Sequence, residues 1–241
     1  MEKQRLDKFL SGQNNLSRSE ARTIIRRGMV TVNSIIVRDF GQLILPETDK
    51  VSYKGQDITY RKHVYILMNK PAGVLSASND KSRQTVVDLV PPHLKRNGLF
   101  PVGRLDRDTT GMLFITDDGD FAHKIISPKS GITKSYIAEL DGTVTEEMVE
   151  KFKTGVTLAD GSLCRPAKLE PLTSNTARLI LCEGKYHEVK RMFGTVGLGV
   201  NKLHRESIGE LVLPKDLNIG DCVEMPEKWL NLSQKSISYT F

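Results

Sequence analysis

Short apolar runs, each about five residues long and each stopped by a turn signal, constrain the fold of this chain more than any other feature. Residues 64–68 run into Asn69-Lys70-Pro71-Ala72-Gly73, and similar β-forming runs fall at 112–116, 135–140, 177–182 and 211–213. Helical spacing occupies about 120–126, 145–153 and 187–196. The two kinds of segment alternate with no regular βαβ period. The expected class is therefore α+β, with a mainly antiparallel mixed β-sheet flanked by helices. No apolar run nears the roughly 20 residues of a membrane helix, and the opening MEKQRLDKFL lacks a signal peptide's apolar core. A cytoplasmic protein with no membrane partner is expected.

The front of the chain differs in charge from the rest. Within residues 3–27, Lys3, Arg5, Lys8, Arg18, Arg22, Arg26 and Arg27 meet only Asp7 and Glu20. Ser17 followed three residues later by Glu20 has the form of a capping box, Leu16 can staple onto Ala21, and Gly28 suits a terminator. A helix over 18–27 is predicted. Ala21, Ile24 and Ile25 form its apolar stripe, while Arg18, Arg22 and Arg26 recur every fourth residue on a neighbouring face. A solvated helix face accounts for that row as well as a ligand does. The whole chain has 35 Lys and Arg against 29 Asp and Glu, a net charge of +6 that suits a polyanionic partner. Residues 29–33 then turn into Ile35-Ile36-Val37, a hairpin signal, and a boundary near residue 60 separates a small domain, 1–59, from a larger one, 60–241.

In the larger domain the polar stretch Gly103-Arg104-Leu105-Asp106-Arg107-Asp108-Thr109-Thr110-Gly111 abuts the apolar run MLFIT. Such a loop can hold one carboxylate at the lip of a sheet, and cations at Arg104 and Arg107 would favour its ionised form. On residue chemistry alone a capped surface turn with solvated ion pairs explains the same stretch. Cys164, Cys182 and Cys222 are isolated, and His63, His93 and His123 are scattered. Neither a disulfide framework nor a metal site is suggested. Phosphate loops and dinucleotide fingerprints are missing too, so no cofactor is expected.

Larger patterns narrow these choices. RLDKFL followed by SRSEARTIIRRGMVTVNSIIV resembles the S4 RNA-binding domain over about residues 4–58. MNKPAGVL (68–75), GRLDRDTTG (103–111), KSY (134–136) and EGKYHEVKRMF (183–193) stand in the order found in the RsuA/RluA superfamily of pseudouridine synthases. EGKYHEVKRMFGTVG with the later LHRESIG is most similar to the RsuA branch, which acts on small-subunit ribosomal RNA. The resemblance implies isomerisation of a uridine, the one numbered 516 in 16S ribosomal RNA, with the naked RNA or an assembly intermediate as partner. A monomer without cofactor is expected.

By the same resemblance Asp106 is the catalytic carboxylate, acting as nucleophile or as base. Tyr136 lies against the target base, and Lys190 is the basic partner of the aspartate. Contacts to RNA are implied for Arg104, Arg107, Thr110, Lys70 and Arg191, and for Arg5, Arg18, Arg22, Arg26 and Arg27 in the S4-like domain. Lys190 and Arg191 diverge by about 100° on a helix, so one can face the site while the other meets phosphate. Met192 and Phe193 are candidates for the pocket wall or for the core, and His187 and His204 for RNA contact. Two other readings stay open. One is an S4-bearing assembly protein without catalysis. The other is a nucleoside or glycoside hydrolase pairing Asp106 with Asp108 or Asp117.

Overall fold

The computed structural model describes residues 2–235; residue 1 and residues 236–241, the ends of the two expected domains, lie outside it. The chain divides into two compact units, Met1–Val64 with Pro91–Leu99, and Tyr65–Val90 with Phe100–Phe241.

The first unit opens with strand β1 (Gln4–Arg5) and helices α1 (Leu6–Gln13) and α2 (Arg18–Arg26). Ser17 caps α2 as its spacing predicts: its hydroxyl accepts from the Glu20 N–H, and the Glu20 carboxylate accepts from the Ser17 N–H at 2.7 Å. Strands β2 (Val30–Val32), β3 (Ile35–Val37), β4 (Leu43–Ile44), β5 (Val51–Tyr53) and β6 (Gln56–Asp57) follow. A four-stranded antiparallel sheet runs β3-β2-β5-β6, while β4 pairs with β1. Leu6, Phe9 and Leu10 of α1 meet Ala21 and Ile25 of α2 over Val30, Val32 and Val51, forming an apolar core of its own. The segment 91–99 returns to this unit, where the Asn97 amide donates to the Leu16 carbonyl at 2.7 Å and Arg96 donates to the Arg61 carbonyl at 3.0 Å.

The second unit holds β7 (Tyr65–Lys70), β8 (Phe100–Pro101), β9 (Thr110–Thr116), α3 (Gly119–Ile126), β10 (Lys134–Leu140), α4 (Glu146–Thr154), β11 (Lys168–Pro171), β12 (Thr176–Leu181), α5 (Glu188–Gly194), β13 (Val200–Ile208), β14 (Leu211–Val212), β15 (Cys222–Glu224) and α6 (Glu227–Ser233). Its sheet runs β11-β12-β10-β13-β9-β7-β15, with β14 on β13 and β8 on β9. Every pairing is antiparallel except β13 with β9. The class is the expected α+β.

Ile66, Leu67 and Met68 of β7 and Leu113, Phe114 and Ile115 of β9 are all fully buried, so both faces of these strands are covered. That is why their sequences run apolar without alternation. Leu67, Met112 and Phe114 share one cluster with Phe121, Ala122 and Ile125 of α3. Met192 and Phe193 of α5 are fully buried, and Phe193 packs on Phe152 of α4 at 5.4 Å between ring centroids; both belong to the core, not to a pocket wall. The central strand β13 has no counterpart among the predicted strands. No helix among the described residues is long and apolar enough to cross a membrane.

Candidate active site

Residues 103–109 form the loop between β8 and β9, and what fastens it is a lysine. Lys70, the last residue of β7, is completely buried and donates its ammonium protons to the carbonyls of Pro71 (2.9 Å), Arg107 (3.2 Å) and Thr109 (3.0 Å). An ammonium has three donors, and all three are taken. The expectation of an RNA contact at Lys70 is therefore corrected: the side chain braces the loop from inside. Burial pulls its pKa down to about 8, against the opposing pull of Asp108 and Asp106. The loop is tied to residue 73 as well, through Gly73 N–H to the Arg107 carbonyl at 2.7 Å and Arg107 Nε to the Gly73 carbonyl at 3.1 Å.

Held this way, the Asp106 side chain remains 24% exposed at the mouth of a cleft that Tyr136 of β10, Arg104 and His187 also line. Its nearest cationic or titratable neighbours are His187, with Nε2 at 3.4 Å from Oδ1, and Lys190 of α5, with Nζ at 3.8 Å from Oδ2. Lys190 sits closer to Asp108, at 2.6 Å from both carboxylate oxygens, and this hydrogen bond holds the Asp108 carboxyl below its usual range. The ammonium thus bridges two carboxylates, leaning toward the outer one. His187 precedes α5 with φ of 48°, in the left-handed region that costs a non-glycine residue roughly 1 kcal/mol. That conformation turns its ring toward Asp106.

Tyr136 stands between two clefts, the second lined by Arg104, Lys134, Glu183 and Arg205. Arg205 of β13 is 4% exposed; Nε donates to the Met112 carbonyl at 2.7 Å, Nη1 donates to the Tyr136 hydroxyl at 3.4 Å, and Nη2 has no partner. Lys134 is buried as well, and burial together with Arg205 pulls its pKa down to about 8. Beneath the cleft Glu183 and Glu188 are both buried. Burial and the neighbouring Glu183 push the Glu188 carboxyl up, while a hydrogen bond from Glu188 helps draw Glu183 down against its own burial. With Cys164 Sγ these oxygens form a group within 4.8 Å, the sort of donor set that the spacing of the sequence does not disclose.

Two expected RNA contacts are committed elsewhere. The Thr110 hydroxyl lies 2.9 Å from Nδ1 of His204, bridging β9 to β13. Arg191 pairs through Nη2 with Asp160 and donates through Nη1 to the Tyr186 carbonyl at 3.3 Å. Arg104 and Arg107 are exposed at the loop.

In the first unit a single carboxylate organises the basic face. Asp7 is fully buried and accepts from Arg5 (3.2 Å), Arg18 (2.8 Å) and Arg22 (2.9 Å). Burial opposes its ionisation, but the three guanidinium hydrogen bonds outweigh that and bring its pKa down to about 2. Phe40 gathers two of these and a further arginine: the guanidinium carbons of Arg26, Arg22 and Arg5 lie 4.7, 5.2 and 5.7 Å from its ring centre. Arg26 and Arg27 are exposed and have no ion pair among the described residues.

Two family models match the chain. The model for RNA pseudouridylate synthases matches residues 64–195, and that for the S4 domain matches residues 4–49. The chain belongs to the RNA pseudouridine synthase family. It is 39% identical over 226 residues to the ribosomal small subunit pseudouridine synthase A of Escherichia coli K12, covering 93% of this chain and 97% of that one. An uncharacterized RNA pseudouridine synthase of Bacillus subtilis, YtzG, is 39% identical over 232 residues, covering 95% and 97%. A crystal structure of a pseudouridylate synthase superposes with a TM-score of 0.67 at 34% identity, covering 95% of this chain and 99% of the other. This pseudouridine synthase is thus an isomerase of the RsuA type with an N-terminal S4 domain.

Proposed function

We propose that the enzyme converts one uridine of small-subunit ribosomal RNA, the residue numbered 516 in 16S ribosomal RNA, to pseudouridine, with Asp106 as the carboxylate on which the reaction turns. The observation that supports this reading is convergence: Asp106 and Tyr136, from distant segments, line one cleft, and Lys190 of α5 reaches the Asp106 carboxylate at 3.8 Å from beside it. The relatives named for the ribosomal small subunit supply the substrate class.

The chemistry is an isomerisation. The bond from ribose C1′ to uracil N1 breaks, the base turns, C1′ joins C5, and the proton lost from C5 is balanced by one gained at N1. Asp106 serves by attacking the sugar or by removing a sugar proton. Tyr136 lines the same cleft, and its ring would lie against the base. Lys190 and His187 keep positive or hydrogen-bonding groups beside the carboxylate. A uridine within RNA hides C1′ and C5, so it must be extruded into the cleft at a cost of a few kcal/mol. The exposed Arg104 at the same cleft would hold its phosphate.

The hydrolase alternative fares poorly on geometry. Asp117 follows the seven-residue β9 while Asp106 precedes it, a separation of roughly 20 Å for a strand of that length. Asp108 is ionised against Lys190 and so is no proton donor.

Purified protein incubated with naked or partly assembled small-subunit RNA should yield pseudouridine at one position and release no free uracil. The Asp106→Asn variant should retain RNA affinity and lose turnover by about a thousandfold or more. Full activity in that variant would remove the site assignment. Free uracil as the product would replace the isomerase reading with hydrolysis.

A further inference from the structure

Tyr186 has no role in the reading above, yet it is the most exposed large hydrophobic side chain among the described residues, at 77%. A tyrosine normally buries its ring and leaves only the hydroxyl in water. Here one face rests on the imidazole of His187, with ring centres 3.9 Å apart and planes 19° from parallel. The exposure therefore belongs to the opposite face and the edges. His187 in turn reaches Asp106 at 3.4 Å. The two rings form a short stack that begins at the candidate catalytic carboxylate and ends in solvent.

We propose that Tyr186 is a stacking platform for the unpaired nucleobase next to the target uridine. The inference rests on the pseudouridine synthase reading of this cleft and adds to it a contact outside the reacting nucleotide. Extruding a uridine leaves its neighbour without a stacking partner, and an aromatic face one nucleotide away from Asp106 restores one. The main chain beneath the ring is tied down, as Arg191 donates to the Tyr186 carbonyl while its other arm pairs with Asp160, and the ring itself rests on His187. Little ordering remains when the base arrives. Its chain neighbours Gly184, Lys185 and His187 make no apolar patch with it, which disfavours an apolar peptide. The exposed Arg104, which lines the same cleft as His187, supplies positive charge for a sugar-phosphate backbone. Because every base has a π-face, the contact supports extrusion without reading base identity.

The test uses the full chain and a small-subunit RNA fragment carrying 2-aminopurine at either position flanking the target. In the Asp106→Asn background, where turnover is removed, stacking should quench the fluorescence at one of the two positions. The quench should vanish when Tyr186→Ala is added and persist with Tyr186→Phe. With unlabelled RNA and an otherwise wild-type chain, Tyr186→Ala should raise KM about tenfold or more and leave kcat within about twofold, whereas Tyr186→Phe should change neither beyond about twofold. No quench at either position, an unchanged KM in Tyr186→Ala, or loss in Tyr186→Phe equal to that in Tyr186→Ala overturns the platform. Failure of the wild-type chain to form pseudouridine would overturn the parent reading instead, and the fluorescence experiment reports on stacking in either event.

Discussion

Two buried carboxyl groups beneath a cleft set a pH dependence that surface acids do not. Glu188 is 4% exposed and has one oxygen without a partner, beside Glu183 at 8% exposure. Burial first, then the hydrogen bond with Glu183, push Glu188 up to about 7, above the ordinary value of 4.5. The sign follows from proton counting. Between those values the folded chain binds a proton that the unfolded chain has released, so stability is fully present below the unfolded value and falls as pH rises through about 7. Replacing Glu188 with glutamine keeps a donor toward Glu183 and removes the proton. Urea unfolding at about pH 5.5 and about pH 8.5 should show wild-type stability dropping with pH, while Glu188→Gln stays flatter and exceeds wild type at the higher pH. Parallel behaviour of the two proteins would mean that Glu188 does not hold its proton to higher pH. Lys70 has the opposite bias, its buried ammonium losing protons more readily than a free lysine, yet its three carbonyl contacts keep it where a neutral methylene chain would leave them unpaired.

At the scale of elements, the strand that positions the site is the one whose sequence hides it. In β13, Val200–Ile208, only Leu203 and Ile208 are buried aliphatics; Lys202, His204, Arg205 and Glu206 interrupt the alternation that betrays a strand. Their partners lie on other strands. Glu206 accepts from Ser135 of β10 at 2.7 Å and from Arg178 of β12 at 2.6 Å, and Arg178 continues to Glu170 of β11 at 3.2 Å. A polar ladder crossing four strands stabilises a central strand that a pattern of apolar residues cannot find. Helix α2 was legible because its signal is local, Ser17 followed three residues later by Glu20. Likewise Asp106, Tyr136 and Lys190 stood in recognisable motifs, whereas the burial of Lys70 and the contact between Arg205 and Tyr136 depend on strands brought together only in the fold. The last glycine of the loop motif shows the coupling. A Cβ on Gly111, at φ of 103°, would lie 2.3 Å from the Arg205 carbonyl oxygen and 2.7 Å from its nitrogen, both rigid backbone of the paired β13. Gly111→Ala should therefore cost about 3 kcal/mol, read as a fall of several degrees in Tm, and abolish most turnover by displacing Arg205 and the loop together. Wild-type melting and activity in this variant would show that β9 and β13 can separate without consequence.

For the whole molecule the governing quantity is charge, and its distribution decides which residues can test it. The chain carries a net +6, with arginines concentrated on the S4 domain. Arg5, Arg18 and Arg22 are poor probes of RNA binding, because removing any of them strips a hydrogen bond from the buried Asp7 and mixes folding with affinity. Arg26 and Arg27 are cleaner, being exposed and free of acidic partners among the described residues, although Arg26 also rests on Phe40. Each phosphate neutralised contributes about −0.9 for a duplex, or about −0.7 for a single strand, to the slope of log K against log salt. The double variant Arg26→Ala, Arg27→Ala should bind small-subunit RNA more weakly at low salt, with a slope shallower by about 1.5, while stability changes by no more than about 1 kcal/mol. Binding measured across a salt series decides it. If affinity falls and the slope does not, the two arginines act through packing around Phe40; if both stay unchanged, this face of the S4 domain does not meet the phosphate backbone.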